Sequence, residues 1–339
     1  MSNQVVTFGE IMMRLSTPGH TRYVQAPHLE ITFGGGEANV ATSLALCGID
    51  AAFVSRLPNN AWGERTVMSL RGFGVDTSKI IRADGRMGVY FVESGAGPRA
   101  SQVIYDRADS AITQIKPGEI DWAKVFDGVA WFHWTGITPA LGAACVAETR
   151  TACEAAKAAG CTVSVDLNYR KKLWTTDEAQ AVMTELMPFV DVCIANEEDA
   201  ESVFSIKGAD VETGEIDRDR YIDVARQLTE KFDFKQVAIT LRESISASRN
   251  GWSAMLFDGG EAVFSRRYDI DIVDRVGGGD SFAAGLIYSQ LHGMAAQDAI
   301  NWAVAASALK HTIPGDANLV GVEEIKRLAA GDASGRVQR

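Results

Sequence analysis

Only five cysteines occur in the 339 residues (Cys47, Cys145, Cys153, Cys161 and Cys193), and no two of them form a CxxC pair. That scatter excludes a zinc ribbon or a disulfide framework and leaves buried free thiols as the expectation. Basic charge is also short, with 33 Lys and Arg against 44 Asp and Glu, a formal net charge of −11. A nucleic-acid or anionic-membrane partner would need a basic face built against that field, so neither is expected. A small anionic substrate would need local arginines. No apolar run reaches bilayer-spanning length, and MSNQVVTFGE has no basic region followed by an apolar stretch, so the sequence reads as that of a protein of the reducing cytoplasm. Two catalytic signatures are missing as well. There is no GxxxxGK[ST] P-loop and no HRD-type loop, which sets aside P-loop NTPases and protein kinases.

What is present is globular in composition: 46% hydrophobic and 23% charged residues argue against extensive disorder. From about Gly128 onward, β-rich runs such as "VAWFHWTGI", "CTVSVDLN", "VCIAN" and "QVAITL" are interspersed with helical stretches such as "ALGAACVAETRTACEAAKAAG" and "DEAQAVMTELMPFV". Such alternation implies right-handed βαβ crossovers and an α/β fold with a largely parallel sheet covered on both faces. Between Met87 and Arg107 the pattern changes: "MGVYFVE" and "SQVIYDR" flank "SGAGPRA", two strands joined by a Gly/Pro turn. With "LEITF" before Gly34 this hairpin predicts a small projecting sheet. "GAGPRA" also fits a GxGxxA dinucleotide pattern, but Pro98 and the β-rich flanks assign it to the hairpin tip. His133, set in an apolar strand, is given no chemistry. No repeat or linker divides the chain.

The stretch "VDRVGGGDSFAAG", Val273 to Gly285, sets three glycines and a carboxylate before a helix with Phe282, Leu286 and Ile287 at helical spacing. Consecutive glycine amides at a helix N-terminus form an anion-binding concavity. A carboxylate beside such a site repels the anion, so Asp280 either takes a proton from a substrate hydroxyl while Gly277, Gly278 and Gly279 steady a phosphoryl group, or caps a turn. Spacing leaves both open.

A second glycine-rich turn, "GGGEANVA" from Gly34 to Ala41, opens another helix near the other end of the chain. The two motifs and the βα units between them resemble the ribokinase or PfkB family of carbohydrate kinases from about Val5 to Val320. "DRVGGGDSFAAGL", "DLNYR", "ANEEDAE", "FHWTGITPAL" and "ALKHTIPGDAN" are similar to that family's kinases of 2-keto-3-deoxygluconate. The resemblance implies a ribokinase-like three-layer α/β/α fold, one kinase domain over residues 1–325 with lid segments at about 12–33 and 86–108, and a C-terminal tail over 326–339. It further implies ATP- and Mg²⁺-dependent phosphorylation of a sugar acid, with Asp280 as general base and Gly277 to Gly279 as anion hole. Gly34, Tyr90, Tyr105, Arg107, Arg170, Asp280 and Asp316 match substrate-side positions, and Asn39 braces the first turn. Asn168, Asn196, Thr240, Arg242, Gly277 and Gly279 match the nucleotide side, while Asp199 or Glu198 would organise magnesium through water.

Alternatives stay open at this point. Arg170 could be a surface charge beside Lys171 and Lys172, and Asp316 a turn cap after Pro314 and Gly315. The substrate could be a neutral sugar or a nucleoside, or the chain a sugar-sensing module. Many relatives carry Thr and Ala where this chain has Arg275 and Gly278, so no monovalent-cation dependence is inferred. An exposed lid edge could pair two copies into a homodimer.

Overall fold

In a strand buried on both faces, successive side chains must satisfy two apolar layers at once, and the β-rich runs of this chain do so. The computed structural model describes residues 4–196, 198–207 and 218–332. In chain order its strands are β1 (Val5–Phe8), β2 (Met12–Ser16), β3 (Glu30–Gly34), β4 (Ala51–Pro58), β5 (Ile80–Ala83), β6 (Val89–Glu93), β7 (Gln102–Asp106), β8 (Trp131–Thr135), β9 (Thr162–Asp166), β10 (Val192–Asn196), β11 (Gln236–Ser244), β12 (Arg249–Phe257), β13 (Ala262–Phe264) and β14 (Tyr268–Asp271).

The large sheet runs β13-β12-β11-β10-β9-β8-β1-β4-β5, with β14 also paired to β12. From β11 to β5 every pairing is parallel, and β12 to β14 add an antiparallel edge. Val6, Phe8, Ala52, Val54, Phe132 and Trp134 pack with the helices Ala143–Ala158, Thr176–Leu186 and Arg218–Phe232. Their alternates Val5, Ala51, Phe53 and Trp131 pack with Gly36–Leu46, Gly278–Leu291 and Ala296–Lys310. This is the three-layer α/β/α architecture expected from the alternation.

The Met87–Arg107 segment forms the antiparallel β6–β7 hairpin, and β2 joins it to β3 in a separate four-stranded sheet, β3-β2-β6-β7. "GAGPRA" is its tip, closed by Ala96 and Arg99. The tip reaches the body, where Ala247 N donates to Gly97 O and Gly97 N to Ser248 Oγ, both at 2.9 Å.

Four of the five thiols are buried, Cys47 is half-buried, and all are free. His133 is buried with Nδ1 2.8 Å from Ser164 Oγ, and burial pulls its pKa down to about 3, so it stays neutral in the core. At the C-terminus the expected tail is shorter than its sequence suggests. A helix runs from Val322 through Ala329, its Ile325 buried and Leu328 packed beside the core, because the apolar stripe continues past residue 326. Residues 333–339 lie outside the described range. No helix of the described residues is long and apolar enough to cross a membrane.

Candidate active site

Parallel strands end together, so side chains and turns following β1, β8, β9, β10 and β11 crowd one edge of the large sheet. There the four-stranded sheet overhangs a cleft of about 470 Å³. The four-stranded sheet contributes Met12, Gly34, Tyr90, Tyr105 and nearby Arg107, and the body contributes Gly35 to Glu37, Asp166, Arg170 and the turn from Arg275 to Asp280.

The glycine motif opens a helix, as its sequence suggests, after an irregular connection. β14 ends at Asp271, a connection follows, and the helix begins at Gly278 with Gly277 as N-cap at φ +85°. That left-handed backbone suits glycine. A Cβ on Gly277 would also overlap the main-chain carbonyl of Asp316. Of the three glycine amides, Gly278 N is drawn into the turn by Arg275 O at 3.3 Å, while those of Gly277 and Gly279 have no hydrogen-bond partner among the described residues. The N-terminal end of the helix dipole adds positive potential at the same point.

Asp280, in the first turn, is only partly covered and lines the cleft. Its Oδ2 accepts from Asn39 Nδ2 at 2.7 Å, and a Cβ on Gly36 would stand 3.5 Å from its Oδ1. The helices opened by the two glycine motifs thus meet across this carboxylate. Desolvation raises its pKa to about 6 despite the Asn39 hydrogen bond, with Asp316 adding to the rise and Arg170 and Lys310 opposing it. Asn39 has a double task, since its Oδ1 also accepts from Gly35 N at 3.4 Å.

Beside the four-stranded sheet, charges are paired more fully than the sequence suggests. Arg107 donates to Glu10 Oε2 through Nε at 2.8 Å and again through Nη2, and Ser110 holds the other Glu10 oxygen. Asp316 accepts from Tyr90 Oη and from Arg14 Nη1 at 2.6 Å; Arg14 Nη2 reaches Asp274 at 2.5 Å. Burial alone would lower the Arg14 pKa, but Asp316 and Asp274 outweigh it and hold the guanidinium above its ordinary value. Tyr105 stacks on Tyr90 at 6.0 Å between ring centres. Gly34 backs onto Asp316: a Cβ there would overlap the carboxylate, so its missing side chain makes room for Asp316. Arg170 is exposed, its Nη1 turned to Tyr169 O at 3.0 Å, and no carboxylate of the described residues forms a salt bridge with it.

Farther along the sheet edge, Asn168 adopts φ +41° and lies buried, Thr240 is buried, and Arg242 is exposed. Asn196 Oδ1 accepts from the amides of Glu198 and Asp199 at 2.8 and 3.1 Å. The two oxygens of Asp199 accept from Tyr169 N and Asn196 N, both at 3.1 Å, so this carboxylate clasps the loops after β9 and β10. Its burial raises its pKa. Glu198 is exposed. Asp166, at the end of β9, is pushed well above the usual carboxylate range by desolvation and then by Asp199 and Asp280.

Sequence reasoning passed over Arg14, Glu10, Asp166 and the bond from Asn39 to Asp280. One signal was available: Arg14 interrupts the apolar run "IMMRL".

Free glycine amides, a raised carboxylate and an overhanging β sheet, gathered at the carboxyl edge of a parallel α/β sheet, are the setting of a phosphotransferase of ribokinase-like architecture, and the comparisons with known proteins give that class. The profile of the pfkB family of carbohydrate kinases matches residues 2–320, and the chain belongs to that family. It is similar in structure to a 2-dehydro-3-deoxygluconokinase from Thermotoga maritima, with 52% identity, a TM-score of 0.94, and coverage of 98% of this chain and 99% of the other. It is 36% identical over 335 residues to a 2-dehydro-3-deoxygalactonokinase of Haloferax volcanii, covering 99% of each. A 2-dehydro-3-deoxygluconokinase of Bacillus subtilis is 30% identical over 319 residues, covering 93% of this chain and 92% of that one.

Proposed function

We propose that the chain is an ATP-dependent sugar-acid kinase that phosphorylates the terminal hydroxyl of 2-keto-3-deoxygluconate, giving 2-keto-3-deoxy-6-phosphogluconate. The observation that carries this reading is the Asp280 carboxylate on the cleft wall, one oxygen fixed by Asn39 and the other facing Gly36, next to the unpaired amides of Gly277 and Gly279. Asp280 accepts the hydroxyl proton as the new O–P bond forms and the bond from the γ-phosphorus to the ADP oxygen breaks. The amides receive the equatorial oxygens of the moving phosphoryl group.

Substrate binds beneath the four-stranded lid, against Gly34, Tyr90 and Tyr105, with Asp316 behind them. Arg107 is already neutralised by Glu10, which leaves Arg170 to receive the sugar-acid carboxylate. ATP lies along Asn168, Asn196, Thr240 and Arg242. Among the described residues no group of three or more His, Cys, Asp or Glu converges as a metal cage, and both Asp199 oxygens are engaged by amides. Such a donor set fits magnesium held by the nucleotide phosphates and water, with Asp199 or Glu198 at most an outer contact. Bound magnesium would draw charge from the phosphate oxygens.

An ADP-release assay over 2-keto-3-deoxygluconate, its galactonate epimer, fructose and ribose tests the reading. Sugar acids are expected to turn over far faster than neutral sugars. Arg170→Gln should raise the KM for the sugar acid roughly 10- to 100-fold, the worth of a hydrogen bond to a charged group, and leave any neutral-sugar rate alone. Equal use of fructose, or an unchanged KM in the variant, would remove the sugar-acid assignment.

A further inference from the structure

Lys310 ends the Ala296–Lys310 helix and is completely buried, a rare position for an ammonium group. Its Nζ donates to two main-chain carbonyls, Asp274 O at 3.3 Å and Ile313 O at 3.1 Å. These carbonyls belong to the two segments that frame the reacting centre. Asp274 starts the turn that ends at Gly277, and Ile313 starts the one that carries Asp316. The first turn is gripped from its other side as well, because the Asp274 carboxylate accepts from Arg14, from Val276 N at 3.0 Å and from Gly315 N at 3.0 Å. Gly277 lies over the lysine stem, so that a Cβ there would come 3.3 Å from Lys310 Cε.

Resting on the phosphotransfer reading above, we propose that Lys310 is a positioning residue: a built-in cation beneath the anion turn, which draws the Asp274 and Ile313 carbonyls inward and keeps the Gly277 and Gly279 amides turned toward the cleft. A peptide unit is planar, so fixing the direction of its carbonyl fixes that of the amide on the same plane, and each fixed plane restricts the next. The ammonium contributes positive potential at the site where phosphoryl charge develops, and it does so without leaving the protein interior. Burial draws its own pKa below the ordinary lysine value, while Asp274 and Asp316 oppose that fall. A lysine that merely filled space or capped its helix would have no need to join these two turns.

Lys310→Met and Lys310→Ala, assayed by ADP release beside the parent and Asp280→Asn, test the role. Both lysine variants should lose about 10- to 10³-fold in kcat, on the scale of one oxyanion donor, with the sugar-acid KM within roughly threefold of the parent. Methylammonium should restore Lys310→Ala at least tenfold, whereas tetramethylammonium, which has no N–H to donate, should not. Parental kcat in Lys310→Met, or a loss in Lys310→Ala that methylammonium leaves untouched, overturns the role. Retained turnover in Asp280→Asn would strike the phosphotransfer reading instead, so the two failures are separable. If neither lysine variant folds, the parent's ¹⁵N-labelled Lys310 ammonium resonance is followed on adding ADP and aluminium fluoride. A shift supports the role and an unmoved signal overturns it.

Discussion

Asp280→Asn is expected to lose about 10²- to 10⁴-fold in turnover, the usual contribution of a general base, and to remain folded. Asparagine preserves the shape and the Asn39 contact but cannot accept the hydroxyl proton. In the parent, kcat/KM should fall tenfold per unit as pH drops below about 6, the value to which desolvation lifts this carboxylate from 3.8. Above that pH the base is ionised and the rate levels off. Stability moves in the opposite direction. A raised carboxylate contributes fully below 3.8, and the contribution is lost as pH rises through about 6, since the charged form is the one burial disfavours. Asp280→Asn should therefore unfold at an equal or higher temperature than the parent at pH 8. Parental turnover in the variant would sink the assignment, and an acidic limb that persists in its residual activity would show that another group titrates.

Gly277→Ala should be nearly as damaging by another route. A side chain at φ +85° is strained at about 1–3 kcal/mol, and here its Cβ also runs into the Asp316 carbonyl. Asp316 has little freedom to retreat, held as it is by Arg14 and Tyr90. The turn must rearrange, and with it the amides proposed to receive the phosphoryl group, for an expected loss of about 10²- to 10³-fold in kcat. Gly279→Ala provides the contrast. A Cβ there meets only Asp166 Oδ2 at 4.0 Å, so its fold and melting temperature should match the parent's, as circular dichroism can check. An undisturbed kcat in Gly277→Ala would refute the anion-turn account.

Short-range signals carried most of the architecture into the sequence. Alternating runs such as "VAWFHWTGI" become β8, and the apolar spacing of Phe282, Leu286 and Ile287 becomes the Gly278–Leu291 helix, because those patterns depend on neighbours a few residues away. The hairpin around "SGAGPRA" is legible for the same reason. Partnerships across the chain are not. Asn39 and Asp280 are 241 positions apart, and Arg14 and Asp316 are 302 apart, so no local period reports them. Arg107 looks like an available cation until Glu10, 97 residues earlier, is seen to hold it. The connection from Asp271 to Gly278 is irregular, so no local period reports its path. The helix through Ala329 runs into the small and polar residues that follow it, so its end is hard to place from sequence.

The Arg14 ion pairs also bear on how the molecule comes together. They join β2 to two carboxylates that lie 260 and 302 positions farther along the chain. Until Asp274 and Asp316 are both in place the guanidinium lacks part of its counter-charge, and burying it unpaired would be costly. Closing this wall of the cleft is thus tied to the docking of both distant segments against β2.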